Sequence, residues 1–270
     1  MLLEHKNAVI YGAGGAIGGA VARAFAREGA RVFLAGRTLA ALDEVAEEIS
    51  GAGGAAETAR VDALDEEMIE AHAMQVAEKA GGIDVSFNAI SLGDVQGTPL
   101  LEMPLEDFTN PIVTGATTHF LTATATARHM LRRRSGVILT LSASAAPVAS
   151  SPEPGHGLGG FGVACAAIEA LSRCLAGELG PHGIRVVCLR PEGIPETWPD
   201  EFRAQRDSPG DWGYGGATRE SFGSSLASTT LLKRLPTLAE VANVAAFMAS
   251  DRAGAMTATI GNLTCGAIVD

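Results

Sequence analysis

Short apolar runs alternate along nearly the whole chain with longer stretches whose apolar residues recur at spacings of three and four. The short runs suit strands and the longer stretches suit amphipathic helices, and their alternation is what a parallel sheet covered on both faces requires. Seven strands are predicted, at Ala8–Tyr11, Arg31–Ala35, Glu57–Val61, Val85–Asn88, Gly136–Leu141, Ile184–Leu189 and Ile260–Thr264. The predicted helices are Ala16–Glu28, Leu39–Ile49, Glu66–Ala80, Leu105–Arg133, Gly162–Leu179 and Leu238–Ala249. Two stretches break the pattern: Ala146–Gly160, rich in Pro, Gly and Ser, and Pro195–Thr230, which holds both tryptophans. Long loops in compact domains commonly carry binding or lid functions, so residues 195–230 are expected to cover a substrate. Neither a repeat nor a linker interrupts the chain, and residues 1–270 are expected to form one domain.

The charge excludes some partners. A net charge of −11 repels phosphate backbones and anionic lipid surfaces, so neither nucleic acid nor membrane is expected as a partner. Cys165, Cys174, Cys188 and Cys265 are scattered without a Cys-x-x-Cys pair and read as reduced, buried thiols. No apolar run reaches the ~18 residues that span a bilayer, and the first strand begins too early for a signal peptide, so a cytoplasmic location is expected.

The strongest local signal is Tyr11-Gly12-Ala13-Gly14-Gly15-Ala16-Ile17-Gly18, which follows the first strand and opens a helix. Its amides can cradle a pyrophosphate at the positive end of the helix dipole, although glycines also serve any tight strand-to-helix junction. The second strand ends in Leu34-Ala35-Gly36-Arg37-Thr38, with no carboxylate to pair with a ribose 2′-hydroxyl. Arg37 instead offers a charged fork suited to a 2′-phosphate, which favours NADP(H) over NAD(H); its plainer role is that of a solvated loop residue.

These motifs resemble the short-chain dehydrogenase/reductase family. Gly12 and Gly18 match its Thr-Gly-x-x-x-Gly-x-Gly turn, with Ala16 in place of the middle glycine. Val61-Asp62-Ala63 resembles its adenine-edge Asp, and Phe87-Asn88-Ala89-Ile90 its Asn-Asn-Ala-Gly turn, though Asp62 and Asn88 are also ordinary turn residues. The resemblance continues through Glu178–Val186, Arg190-Pro191-Glu192-Gly193-Ile194 and Ser250-Asp251-Arg252, with Glu192 where the family's Pro-Gly turn has glycine. It implies a Rossmann fold, a doubly wound seven-stranded parallel sheet of order 3-2-1-4-5-6-7. It also implies cofactor contacts from Gly14, Gly15, Ile17, Thr38, Pro191 and Ile194, and a homo-oligomer, either tetramer or dimer.

The family moves a proton with a Tyr hydroxyl helped by a Lys one turn later. Register places Phe161 and Cys165 at these two positions, Ala143 at the substrate-orienting Ser, and Gly115 at the helix-four Asn. The chain has only three lysines, Lys6, Lys79 and Lys233, and two tyrosines, Tyr11 and Tyr214. Ser142 or Ser144 can stand in for Ala143 only if the strand end is bulged, because neighbouring strand residues face opposite sides. His156 and Tyr214 are substitute proton donors if their loops fold over the nicotinamide, while His119 and His129 read as packing or oligomer residues. No metal site is expected.

Two functions remain open. One is an NADP(H)-dependent oxidoreductase with an unorthodox donor, its pocket walled by Phe161, Ile194 and Trp198 and suited to a small apolar carbonyl, enone or alcohol. The other is a catalytically silent nucleotide binder acting as a sensor or partner subunit. A third outcome, loss of the cofactor itself, is raised by the negative charge of Glu192.

Overall fold

The computed structural model describes residues 1–148, 157–200 and 217–269. Seven strands form one sheet: β1 (Asn7–Tyr11), β2 (Arg31–Gly36), β3 (Ala55–Arg60), β4 (Val85–Asn88), β5 (Gly136–Leu141), β6 (Ile184–Pro191) and β7 (Thr259–Leu263). They lie in the order β3-β2-β1-β4-β5-β6-β7, and every pairing is parallel. The chain reverses its direction of winding beside β1, which opens a crevice at the C-terminal strand ends between β1 and β4.

The described α-helices are α1 (Ala16–Arg27), α2 (Leu39–Gly51), α3 (Glu66–Ala80), α4 (Leu105–Arg133), α5 (Gly159–Leu179), α6 (Arg219–Thr229) and α7 (Leu238–Ala249). Two cores result from covering both sheet faces. On one face Val21, Phe25, Leu42 and Val45 meet Ala245 and Met248. On the other Ile69, Val76, Leu121, Met130 and Leu175 close over Val9, Phe33 and Ile138. Strand residues that alternate between these clusters, such as Ile10 and Tyr11, explain why the strands read as continuous apolar runs.

Several expectations need correction. Strand β3 runs Ala55–Arg60 and β7 runs Thr259–Leu263, each shifted toward the N-terminus, while β6 continues to Pro191. Helix α5 starts at Gly159, and α6 lies inside the stretch expected to be an irregular lid. That helix is capped reciprocally by Thr218 and Ser221. The segment Gly159–His182 is apolar and long enough to cross a membrane, contrary to the expectation from sequence. In the fold it is a core helix that buries Ala164, Ile168 and Leu175 and carries a buried carboxylate, Glu169. Cys165 and Cys188 are buried, but Cys174 is exposed and Cys265 partly so; all four are free thiols.

Candidate functional site

The turn after β1 needs its glycines. Gly12 has φ +78, and a Cβ there would sit 2.7 Å from the Ala89 carbonyl oxygen. Its N–H donates to the Ala35 carbonyl at 2.8 Å, and Gly15 N–H donates to the Gly12 carbonyl at 3.1 Å, so the turn is held by its own backbone. A Cβ on Gly18 would collide with the Gly12 carbonyl, which explains glycine at the start of α1. No side chain caps α1 and no acid lies in its first turn, leaving its positive end open to an anion.

A cavity of about 280 Å³ opens over this turn. It gathers residues from four predicted motifs: Gly12, Gly14 and Gly15; Arg37 and Thr38; Asp62 and Ala63; Ala89 and Ile90. Ile17 and Gly18 lie behind the turn in α1, and Pro191 and Ile194 lie at and beyond the end of β6, outside the cavity lining. Arg37 is exposed and makes no ion pair among the described residues. Asp62 accepts the Leu64 N–H at 3.1 Å, so it shapes its turn while facing the cavity. Buried Asn88 donates to Thr122 Oγ1 at 3.0 Å and accepts the Ile90 N–H at 3.0 Å, which fixes the turn after β4.

Two cavity residues were not legible as site residues. Tyr11 and Thr118 are almost fully buried, line the cavity, and have hydroxyls without a hydrogen-bond partner. Burial pushes the Tyr11 hydroxyl pKa well up, keeping it protonated, and its ring meets His72 edge-on at 5.7 Å. An unpartnered buried hydroxyl costs ~1–3 kcal/mol, a cost that a ligand offering a polar atom removes.

At the ends of β5 and β6 the arrangement differs from the predicted one. Ser142 N–H donates to Leu189 O and Ser144 N–H to Pro191 O, both at 2.9 Å, so the ladder runs on from β5 without a bulge. Neither serine therefore takes the place of Ala143. Ser142 Oγ donates to Glu169 Oε1 at 3.0 Å, and Ser144 Oγ donates to Glu192 Oε1 at 2.8 Å. Both carboxylates are buried, yet among the described residues only Glu169 has cations: Arg190 grips it through two 2.7 Å hydrogen bonds and Arg173 approaches at 3.6 Å.

Phe161 lies in the first turn of α5 and packs into a small apolar cluster with Leu92, Ala164 and Ile168. Cys165, one turn on, is buried; desolvation, helped by the nearby carboxylates Asp94 and Glu169, drives its thiol pKa up and keeps it neutral. A Cβ on Gly115 would press on Leu92 at 3.2 Å and Ile168 at 3.4 Å, so α4 and α5 approach closely there. The Gly115 carbonyl accepts His119 Nδ1–H at 2.9 Å, and His119 is a buried packing residue. Asn110 binds the Gly93 carbonyl at 3.0 Å, in the loop before α4. Trp198 and Ile194 are already covered, Trp198 by Phe222 at 5.0 Å, so they are not an open pocket wall. His156, Tyr214 and Trp212 lie outside the described residues.

Comparison with known proteins agrees with this geometry. A family model described as enoyl-(acyl carrier protein) reductase matches residues 12–267. The uncharacterized oxidoreductase YxbG of Bacillus subtilis is 32% identical over 257 residues, covering 94% of this chain and 88% of that one. The chain belongs to the short-chain dehydrogenase/reductase family of oxidoreductases. D-threitol dehydrogenase of Mycolicibacterium smegmatis is 30% identical over 189 residues, 70% of each protein. A short-chain type dehydrogenase/reductase from Mycobacterium marinum superposes with a TM-score of 0.82 at 28% identity, covering 99% of this chain and 97% of that one. An NAD+-bound xylitol dehydrogenase, 22% identical with a TM-score of 0.80 over 97% of this chain and 99% of that one, shares the fold.

For a short-chain dehydrogenase/reductase, the residues present fit a nicotinamide dinucleotide. Gly12, Gly14 and Gly15 present bare backbone to the cavity, the uncapped end of α1 favours a diphosphate's charge, and Tyr11 and Thr118 offer unused hydroxyls. The family pattern alone would not have found that hydroxyl pair, because α4 and β1 meet only in the folded chain.

Proposed function

We propose that the protein is an NADP(H)-dependent oxidoreductase for a small apolar carbonyl, enone or alcohol, working without the family's phenol–ammonium pair. The observation that carries the cofactor preference is Arg37, exposed at the rim of the nucleotide cavity just after β2, where Gly36-Arg37-Thr38 offers no carboxylate. Arg37 would hold the 2′-phosphate, Gly12, Gly14 and Gly15 the diphosphate, and Asp62 and Ala63 the adenine edge. When bound, the nicotinamide gives or takes a hydride.

The tetrad positions in this reading are Gly115, Ala143, Phe161 and Cys165. The neutrality of the buried Cys165 thiol supports it, since no fixed positive charge lies there to lower a phenol pKa. Acid–base help is worth ~10²–10⁴-fold, so turnover of simple ketones is expected to be slow. The same burial favours a second reading, a silent nucleotide-binding homologue serving as sensor or partner subunit.

A panel of ketones, enones and alcohols with NADPH or NADP+ separates the two. Slow turnover that rises in the Phe161→Tyr, Cys165→Lys double variant supports the oxidoreductase and its register. No turnover by either protein, with NADPH bound, supports the silent homologue. A cytoplasmic location and a homo-oligomer, tetramer or dimer, go with this reading. The exposed Val113, Phe120 and Val163 on α4 and α5 are suitable contact residues, and sedimentation velocity tests the assembly.

A further inference from the structure

We propose that Glu192, seated by Ser144, exchanges the proton with the substrate oxygen in this chain's carbonyl–alcohol chemistry. The inference rests on the oxidoreductase reading above. Glu192 follows β6 directly, and the Ser144 N–H to Pro191 carbonyl bond holds the ends of β5 and β6 together beneath it. Ligands of open parallel sheets dock at this C-terminal edge.

The hydrogen bonds assign a role to each carboxyl oxygen. Ser144 Oγ–H and Gly193 N–H both donate to Glu192 Oε1, at 2.8 and 3.0 Å. Among the described residues nothing donates to Oε2, which leaves Oε2 as the oxygen available to carry and pass the proton. Unlike Glu169, Glu192 has no cation beside it among the described residues. Burial drives its pKa above the ordinary carboxylate value, with the Gly193 and Ser144 hydrogen bonds offsetting part of that rise. Among the described residues the titratable group facing it from beyond β7 is the Cys265 thiol, whose own pKa is raised, and the segment after β5 contributes the neutral Ser144. Arg190 grips Glu169 through two hydrogen bonds, and Arg234, beside Cys265, bonds to Glu240.

In the reducing direction the Oε2–H bond breaks as an O–H bond forms on the carbonyl oxygen. The carbonyl carbon takes the hydride of a reduced nicotinamide dinucleotide, the π electrons move to oxygen, and a proton from solvent restores the carboxyl. Alcohol oxidation is the reverse. Ser144 is a positioning residue that fixes which oxygen carries the proton.

The test uses the full chain with NADPH and three probes: trifluoroacetophenone, cyclohexanone and cyclohexenone. Carboxyl-carbon NMR, with the Glu192 resonance identified by its absence in E192Q, is expected to give a pKa clearly above ~4.3. E192Q is expected to keep its NADPH affinity and lose about 100-fold in kcat. S144A removes a bond to the ionised form, so it should raise the Glu192 pKa and move the alkaline limb of the kcat–pH profile by the same amount. A carboxyl titrating at the ordinary value, or E192Q turning over at the wild-type rate, overturns the role of Glu192 alone. A wild type that turns over none of the probes removes the oxidoreductase reading and this role with it.

Discussion

Glu169 of α5 and Arg190 of β6 form a buried two-pronged ion pair, Nε to Oε1 and Nη2 to Oε2, each at 2.7 Å. Ser142 adds a third hydrogen bond to the carboxylate, the second on Oε1, so β6, α5 and the end of β5 are tied at one carboxylate just below the proposed catalytic edge. Arg173 also approaches Glu169 Oε2, at 3.6 Å, and truncating one partner of a buried charge pair costs more than replacing both with apolar residues. Glu169→Ala is expected to lower stability by ~3–5 kcal/mol, and the Glu169→Met, Arg190→Met double variant by much less. Urea unfolding of the three proteins checks this.

His119 gives the fold an acid-sensitive point. The Gly115 carbonyl can only accept and the Leu141 N–H can only donate, so Nδ1 carries the hydrogen and Nε2 stays bare. Burial lowers the pKa to about 4 from 6.5, so the unfolded chain takes the proton first. The stability contribution is complete above pH 6.5 and is lost as pH falls toward about 4, by up to ~3 kcal/mol. His72, also held to about 4 by burial, adds to the same window. Thermal melts across that range should show a shallower slope for His119→Gln than for wild type.

Gly12 and Gly53 separate steric contact from backbone strain. Their φ angles are +78 and +82, but a Cβ on Gly12 meets the Ala89 backbone whereas one on Gly53 meets nothing within 4 Å. Gly53→Ala is expected to cost only the left-handed penalty, ~1–2 kcal/mol. Gly12→Ala should cost more and also weaken dinucleotide binding, which Gly53→Ala should leave unchanged. Chemical denaturation and a binding titration of both variants decide it.

The fold was largely legible because each βα repeat carries its own local period, and the Gly12 turn was legible because its positive φ and close approach to Ala89 demand glycine. Element ends were less so: Gly159 and Gly160 read as loop although they begin α5, and Ser-rich α6 lacks an apolar stripe to reveal it. Side-chain pairs across the sheet were not legible. Ser144 and Glu192 are 48 residues apart and meet only through the β5–β6 pairing, so Glu192 read as a cofactor-side departure from the family, with no partner to suggest another role. Tyr11 and Thr118 likewise come to one cavity only because α4 packs over β4 and β5, which no local pattern records.

The most direct measurement is a titration of NADPH and NADH into the wild-type protein and Arg37→Ala, followed by nucleotide fluorescence. Saturable binding is predicted, with NADPH held more tightly by wild type. The Arg37→Ala substitution should weaken NADPH by about 10–100-fold, the worth of a charge-assisted contact, and leave NADH nearly unchanged. Failure of both nucleotides to bind wild type would contradict the account.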